Sequence, residues 1–172
     1  MKSVTRKYDR RYVPSPERFS RIMEMITRNQ VEMAPLVAYV NSLRGELAAG
    51  EDPRLLLKLG SYFYEYYLSI EEILLAIASL TDQWMPGSLD WHLRLLKLLK
   101  TPIAEVRPPV LSASTAGLLE NYLYFYLSFH RNCGNLSREK MIMLAESLER
   151  THEMVLQDLD RFHRVLKMLY RP

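Results

Sequence analysis

The spacing of apolar residues constrains this chain more than any other feature, because they recur every three or four positions in each long segment. That period places them on one face of an α-helix, whereas a strand would show strict alternation, which the sequence lacks. Only six glycines occur, few for a sheet protein with tight turns. The sequence therefore predicts an all-α fold, a bundle of about five helices. The widest apolar face belongs to residues 52–80 and consists of Tyr62, Phe63, Tyr66, Tyr67, Ile70, Ile73, Leu74 and Ile77.

The length of 172 residues, with 48% hydrophobic content, is enough to bury one sizeable core. We therefore expect a single helical domain over residues 14–172. Residues 1–13 differ in composition, since they carry five lysines and arginines against one acid, Asp9. They are interpreted as a basic N-terminal arm, either partly ordered and solvated or in contact with RNA.

Charge and cysteine usage exclude several classes of protein. The net charge of +3 is too small to require a nucleic-acid partner, although it permits one. Cys133 is the only cysteine, which excludes an intrachain disulfide and a cysteine-based zinc site. We expect no cofactor and no metal. The amino terminus lacks the apolar core of a signal peptide, and no apolar run approaches the roughly 20 residues that span a bilayer. The sequence predicts a cytoplasmic protein that does not enter the membrane.

Capping residues and prolines divide the chain into helices. The first should begin at Ser15 and Pro16 and end near Gly50, with a kink or a split at Pro35. Later helices are expected over residues 52–80, 90–99, 112–134 and 137–170, each preceded by Ser or Asp as a capping residue. The proline-containing residues 101–111 should form a connecting loop.

Residues 122–134 form the stretch most suggestive of function. They are apolar or aromatic until the chain becomes polar at His130, Arg131 and Asn132, and they end at Gly134, which suits a left-handed helix terminus. A histidine can exchange protons near neutral pH, and an arginine can hold a phosphate through a forked pair of hydrogen bonds. Apolar and aromatic groups surround nearly the whole helix from Tyr122 to Phe129, which predicts a homodimer.

Other polar residues admit simpler interpretations. Glu65, Glu71 and Glu72 could form a carboxylate pair or ligate a metal, but no histidine or aspartate lies at a spacing that completes such a site. We expect them on a solvated or salt-bridged face. His92, which follows Trp91, is a candidate ligand or base, or more simply a capping or packing residue.

Three blocks of sequence resemble the HepT-like branch of the HEPN superfamily, helical ribonucleases of prokaryotic toxin–antitoxin and defence systems. The first is SYFYEYYLSIEEILLAIA at residues 61–78, with an Ile-Glu pair after an aromatic. The second is DWHLRLL at residues 90–96, and the third covers residues 107–134 and begins with RPPVLS. The resemblance implies a HEPN-like helical bundle, a homodimer, and a small MNT-type nucleotidyltransferase as partner.

The same resemblance implies an active site made of an arginine followed four to six residues later by a histidine. No arginine lies at that spacing before His92, His130, His152 or His163. If Phe129 and Gly134 keep the family register, the arginine position falls on Tyr126 and the histidine position on Arg131. The catalytic motif is therefore degenerate, and the ribonuclease activity that the family implies is left in question.

Three functions remain open. The chain could be a HepT-like protein that has lost catalysis and binds a nucleotidyltransferase, RNA or both, with Tyr126 and Asn132 as binding residues. It could instead be a divergent metal-independent ribonuclease that uses His130 and Arg131 as catalytic residues. The third possibility is a structural helical homo-oligomer. Successive residues on a helix point about 100° apart, so His130 and Arg131 do not easily converge on one phosphate, which favours binding over cleavage.

Overall fold

Six helices make up the described part of the chain, which comprises residues 16–50, 52–104, 107–131 and 136–169 of a computed structural model. Within these residues the predicted all-α fold is confirmed, and the only β-type pairing is an isolated bridge between Ile103 and Arg107. The basic arm at residues 1–13, Asn132 and the expected helix terminator Gly134 lie outside the described residues. The helices are α1 (Pro16–Ser42), α2 (Arg44–Ala49), α3 (Pro53–Asp82), α4 (Trp91–Leu99), α5 (Ala113–Arg131) and α6 (Arg138–Leu169).

The first helix continues through Pro35, so the expected split at that position is wrong. Proline deprives the carbonyl four residues earlier of its hydrogen bond, and both Pro35 and Val31 are exposed, so water can satisfy that carbonyl. The chain breaks instead at Leu43, where a turn separates α1 from the short α2. The region up to Gly50, expected to be kinked or split at Pro35, is therefore two helices that are divided at Leu43.

Helix α3 is the centre of the fold, as its wide apolar face predicts. It packs against α1, α4, α5 and α6. At its start the Asp52 side chain accepts a hydrogen bond from the Arg54 backbone N–H at 2.9 Å, with Pro53 in the first turn. At its end Gln83 adopts a left-handed conformation, with φ of 50°, and turns the chain away. Its largest side chains with almost no solvent exposure are Leu59, Phe63, Tyr66, Tyr67, Ile70, Ile73, Leu74 and Ile77.

The segment between α4 and α5 is the predicted connecting loop, and it is held firmly. The backbone N–H groups of Val110 and Leu111 both donate to the Leu99 carbonyl, at 2.8 and 3.1 Å. The buried Arg107 guanidinium donates to three carbonyl groups, those of Leu98, Thr101 and Pro108. These bonds fix the start of α5 relative to α4.

Helix α5 packs most of its aromatic residues against the core of its own chain. Tyr122, Leu123 and Phe125 are buried, and the Tyr122 hydroxyl donates to the Leu144 carbonyl at 2.7 Å. Its exposed face between residues 121 and 131 consists of Asn121, Tyr124, Ser128 and Arg131. The apolar groups that suggested a dimer interface therefore serve mainly as core, and the homodimer stays a prediction. Among the described residues no helix is long and apolar enough to cross a membrane.

Candidate functional site

A buried carboxylate and a histidine meet where α3 passes the start of α4. The Glu71 side chain, 4% exposed, lies 2.6 Å from Nδ1 of His92, whose side chain is 15% exposed. Glu71 comes from the middle of the central helix and His92 from the second position of α4. Because the carboxylate accepts the Nδ1 hydrogen, the remaining ring nitrogen, Nε2, is left to bind or exchange a proton. An oriented histidine of this kind is suited to acid–base chemistry or to hydrogen bonding with a ligand.

Aromatic rings surround this pair. Trp91 stacks on the His92 ring with centroids 3.8 Å apart, and Tyr126 of α5 lies 5.7 Å from the same ring. Tyr126 in turn stacks on Tyr64 at 4.8 Å and contacts Tyr67 at 5.3 Å. The tyrosines come from two consecutive turns of α3 and from the facing turn of α5. We call Tyr64, Tyr67, Glu71, Trp91, His92 and Tyr126 together the Glu71–His92 cluster.

Burial determines the electrostatics of this cluster. Burial raises the pKa of Glu71 above its usual range, and the bond to His92 opposes that shift. Burial likewise raises the pKa of Tyr126 to about 12, with smaller contributions from Tyr64 and Glu71. The Tyr67 pKa is raised further, by burial and by the nearby Glu71 carboxylate. Tyr67 and Tyr126 therefore stay protonated at neutral pH and act only as uncharged hydrogen-bonding groups.

The Tyr67 hydroxyl is a buried polar group with no hydrogen-bond partner of ordinary geometry, although it lies close enough to Glu71 for the two to perturb each other. A hydroxyl left without a partner away from water is costly, so a small shift of either side chain toward the other is favourable. The cluster thus holds one further group able to bond to the Glu71 carboxylate.

The structure separates the residues that the sequence grouped as a site. Tyr126 is half-buried in the Glu71–His92 cluster, whereas Arg131 is exposed at the last position of α5. His130 belongs to α5, but its side chain, like all of Asn132, lies outside the described residues. The proposed roles of His130, Arg131 and Asn132 therefore stay predictions.

Sequence reasoning missed the Glu71–His92 pair. No histidine lies at helical spacing from Glu71, because its partner comes from another helix 21 residues later. Glu71 was expected on a solvated or salt-bridged face. It is buried and paired with His92, so it is salt-bridged and not solvated. The available signal was the presence of the Ile-Glu and Trp-His pairs in two blocks that share one family resemblance. No group of three side chains able to hold a metal ion occurs within the described part of the chain.

Comparison with known proteins agrees with the architecture. A family model described as HepT-like protein matches residues 58–166, which is more than half of the 172 residues. The match contains the whole Glu71–His92 cluster and all of α4 and α5. Among curated proteins and solved structures, none is significantly similar to this sequence. With its all-α bundle and this match, the chain belongs to the HepT-like family.

Proposed function

We propose that this chain is a HEPN-fold member of a toxin–antitoxin or defence system that has lost ribonuclease catalysis and acts by binding. Its partners would be a small nucleotidyltransferase of the MNT type, RNA, or both. HepT-like proteins are often oligomeric, and a homodimer is part of the proposal, as is a cytoplasmic location.

The observation that carries the proposal is the environment of Tyr126. In the family register this position belongs to the arginine that holds the scissile phosphate, and here it is a tyrosine stacked on Tyr64 and close to Tyr67. A phenol is uncharged at neutral pH, all the more because burial raises the pKa of Tyr126 to about 12, so this side chain cannot replace a guanidinium at a phosphate. Loss of the cation removes the main electrostatic support for a phosphoryl-transfer transition state.

The position of Arg131 supports binding at the end of α5. Its side chain is exposed, and it lies on the same exposed face as Tyr124 and Ser128. An exposed guanidinium can contact the phosphates of RNA or the carboxylates of a protein partner. Successive positions on a helix are about 100° apart, which disfavours joint action of residues 130 and 131 on one phosphate.

The first experiment measures cleavage and binding with a fluorescein-labelled single-stranded RNA in the presence of a metal chelator. We expect no cleavage above background. Arg131→Ala should weaken binding to this RNA, or to a co-expressed nucleotidyltransferase of the MNT type, by about tenfold, as loss of one charged hydrogen bond predicts. Arg150→Ala, which removes an exposed arginine of α6, is the matched control and should leave binding unchanged.

A second experiment restores the missing motif. Tyr126→Arg combined with Arg131→His recreates an arginine followed five residues later by a histidine, and we expect the double variant to gain metal-independent cleavage. Circular dichroism checks that the helices persist. Robust cleavage by the unmodified protein, abolished by His130→Ala with the fold intact, would replace the binding function with the rearranged ribonuclease.

A further inference from the structure

A second surface feature lies on a different face of α3 from the Glu71–His92 cluster. It is a groove of about 840 Å³ between α1 and α3, bordered at one end by Met85 and Pro86 of the following loop. Glu72 lines this groove, whereas its neighbour Glu71 faces His92, so the two sites occupy different faces of one helix. The groove shares no residue with the Glu71–His92 cluster.

The two helices that form the groove run antiparallel. Asn29 of α1 bonds Ser69 of α3, and the Lys58 ammonium of α3 donates to the Tyr39 hydroxyl of α1 at 2.5 Å. Higher numbers on α1 therefore pair with lower numbers on α3. Along α1 the groove extends from Arg18 to Arg28, which at 1.5 Å per residue is about 15 Å, or about three helical turns.

The floor of the groove is apolar and adaptable. Ile22 and Leu80 are buried beneath it, and Met25, Leu75 and Ala76 are partly exposed along it. At its end Met85 is 68% exposed, although methionine is a large apolar residue. Methionine side chains are flexible and commonly line surfaces that accept apolar faces of partner helices.

The rims of the groove differ in charge. On the α1 rim stand three arginines, Arg18, Arg21 and Arg28, with one acid, Glu24, whereas the α3 rim carries Glu72. Arg28 reaches Glu32 only at 3.9 Å, and both side chains are more than half exposed, so a partner's carboxylate can replace this weak pair. The α1 rim therefore favours a ligand that carries negative charge on the side that faces Arg21 and Arg28.

We propose that this groove binds an amphipathic helix of a partner protein, with apolar side chains on the floor and carboxylates against Arg21 and Arg28. A helix suits the open, straight trough between two packed helices, since apolar residues at positions i, i+3, i+4 and i+7 cover its length. The charge asymmetry sets the orientation of the bound helix, because its acidic flank must face α1 and not Glu72.

Fluorescence anisotropy with a labelled peptide tests this proposal on the full-length protein. The probe is a stapled helix of about four turns. It carries leucines at positions i, i+3, i+4 and i+7, which face the floor of the groove, and glutamates on one flank. In the matched control peptide, lysines replace these glutamates. We expect the acidic peptide to bind at least about tenfold more tightly than the basic one. The double substitution Arg21→Glu with Arg28→Glu should reverse that preference.

The control variant changes the charge of two exposed arginines of α6, Arg150→Glu with Arg164→Glu, and should leave peptide binding unchanged. Ala76→Trp fills the floor of the groove and should abolish binding of the acidic peptide while circular dichroism remains unaltered. Equal binding of both peptides, or binding unaffected by the α1 charge reversal, would overturn the proposal. Self-association in light scattering that the α1 reversal abolishes would instead assign the groove to a second copy of the chain.

Discussion

Arg107 and Asp82 form an ion pair from which solvent is excluded. The guanidinium donates from Nε to one carboxylate oxygen at 2.7 Å and from Nη2 to the other at 2.5 Å. Neither side chain is exposed. Thr81 adds a hydrogen bond to the same carboxylate at 2.8 Å. The pair joins the end of α3 to the loop before α5, so it fixes the approach of the helix that carries Tyr126.

Removing the negative charge of this pair should destabilise the fold strongly. Asp82→Asn leaves the Arg107 guanidinium buried without a counter-charge, and we expect a loss of about 3–5 kcal/mol in the free energy of unfolding. Urea titration followed by circular dichroism measures it. The control is Asp160→Asn, which breaks an exposed pair with Arg164 and should cost less than about 1 kcal/mol. Similar losses for the two variants would contradict the role given to the buried pair.

Gly60 lies where α3 and α5 approach each other closely. A Cβ atom placed on Gly60 would lie 2.7 Å from a ring carbon of Phe129 and 3.3 Å from Leu136. Alanine normally stabilises a helix interior relative to glycine by about 1 kcal/mol, but overpacking costs about 1–3 kcal/mol. We therefore expect Gly60→Ala to be neutral or destabilising.

The matched control for this prediction is Gly117→Ala. Gly117 lies in α5, and a Cβ atom there meets nothing within 4 Å. This substitution should stabilise the protein by about 0.5–1 kcal/mol. Equal stabilisation by alanine at both positions, measured from urea midpoints, would show that Phe129 moves aside freely.

Local chemistry explains which parts of the structure were predictable from the sequence. The Ser112 side chain accepts from the Thr115 backbone N–H at 3.1 Å, and Asp52 does the same for Arg54, so both caps depend only on residues two or three positions apart. Glu71 and His92 are 21 residues apart, and Asp82 and Arg107 are 25 apart. Such pairs depend on how helices pack, which apolar periodicity does not determine. The continuity of α1 at Pro35 likewise depends on the exposure of that residue in the folded chain.

The hydrogen bond between Glu71 and His92 should need an acceptor oxygen at position 71 more than it needs the negative charge of the carboxylate. Glu71→Gln keeps an oxygen that accepts from Nδ1 of His92, and its amide can donate to the Tyr67 hydroxyl, which lacks a partner. We expect this variant to lie within about 1 kcal/mol of the parent in unfolding free energy. Glu71→Ala removes the acceptor and leaves a cavity, and should cost about 2–4 kcal/mol.

Nuclear magnetic resonance of the His92 ring provides the second readout for these variants. In the parent and in Glu71→Gln, we expect a slowly exchanging Nδ1 hydrogen, because the bond protects it from water. That signal should be lost in Glu71→Ala. Retention of the protected hydrogen in the alanine variant would mean that another group holds the His92 ring.

A buried histidine in α6 should make the protein sensitive to acid. His152 is 6% exposed, contacts the Tyr66 ring at 5.9 Å between centroids, and has no partner for either ring nitrogen. Burial lowers its pKa in the folded protein below the usual 6.5. Below about pH 6.5 the unfolded chain therefore binds a proton that the folded chain does not, so stability is lost as the pH falls.

The substitution His152→Phe tests this prediction, because phenylalanine keeps a ring against Tyr66 and cannot be protonated. One group changes the unfolding free energy by at most about 1.4 kcal/mol per pH unit, so the parent should lose up to that amount more than the variant between about pH 6 and pH 5. Urea titrations at these two values and at about pH 8 measure the difference. His163 serves as the control. Burial lowers its pKa too, but His163 is less buried than His152, so His163→Phe should remove less of the acid sensitivity. If His152→Phe retains the full loss of stability on acidification, the acid-sensitive group lies elsewhere in the chain.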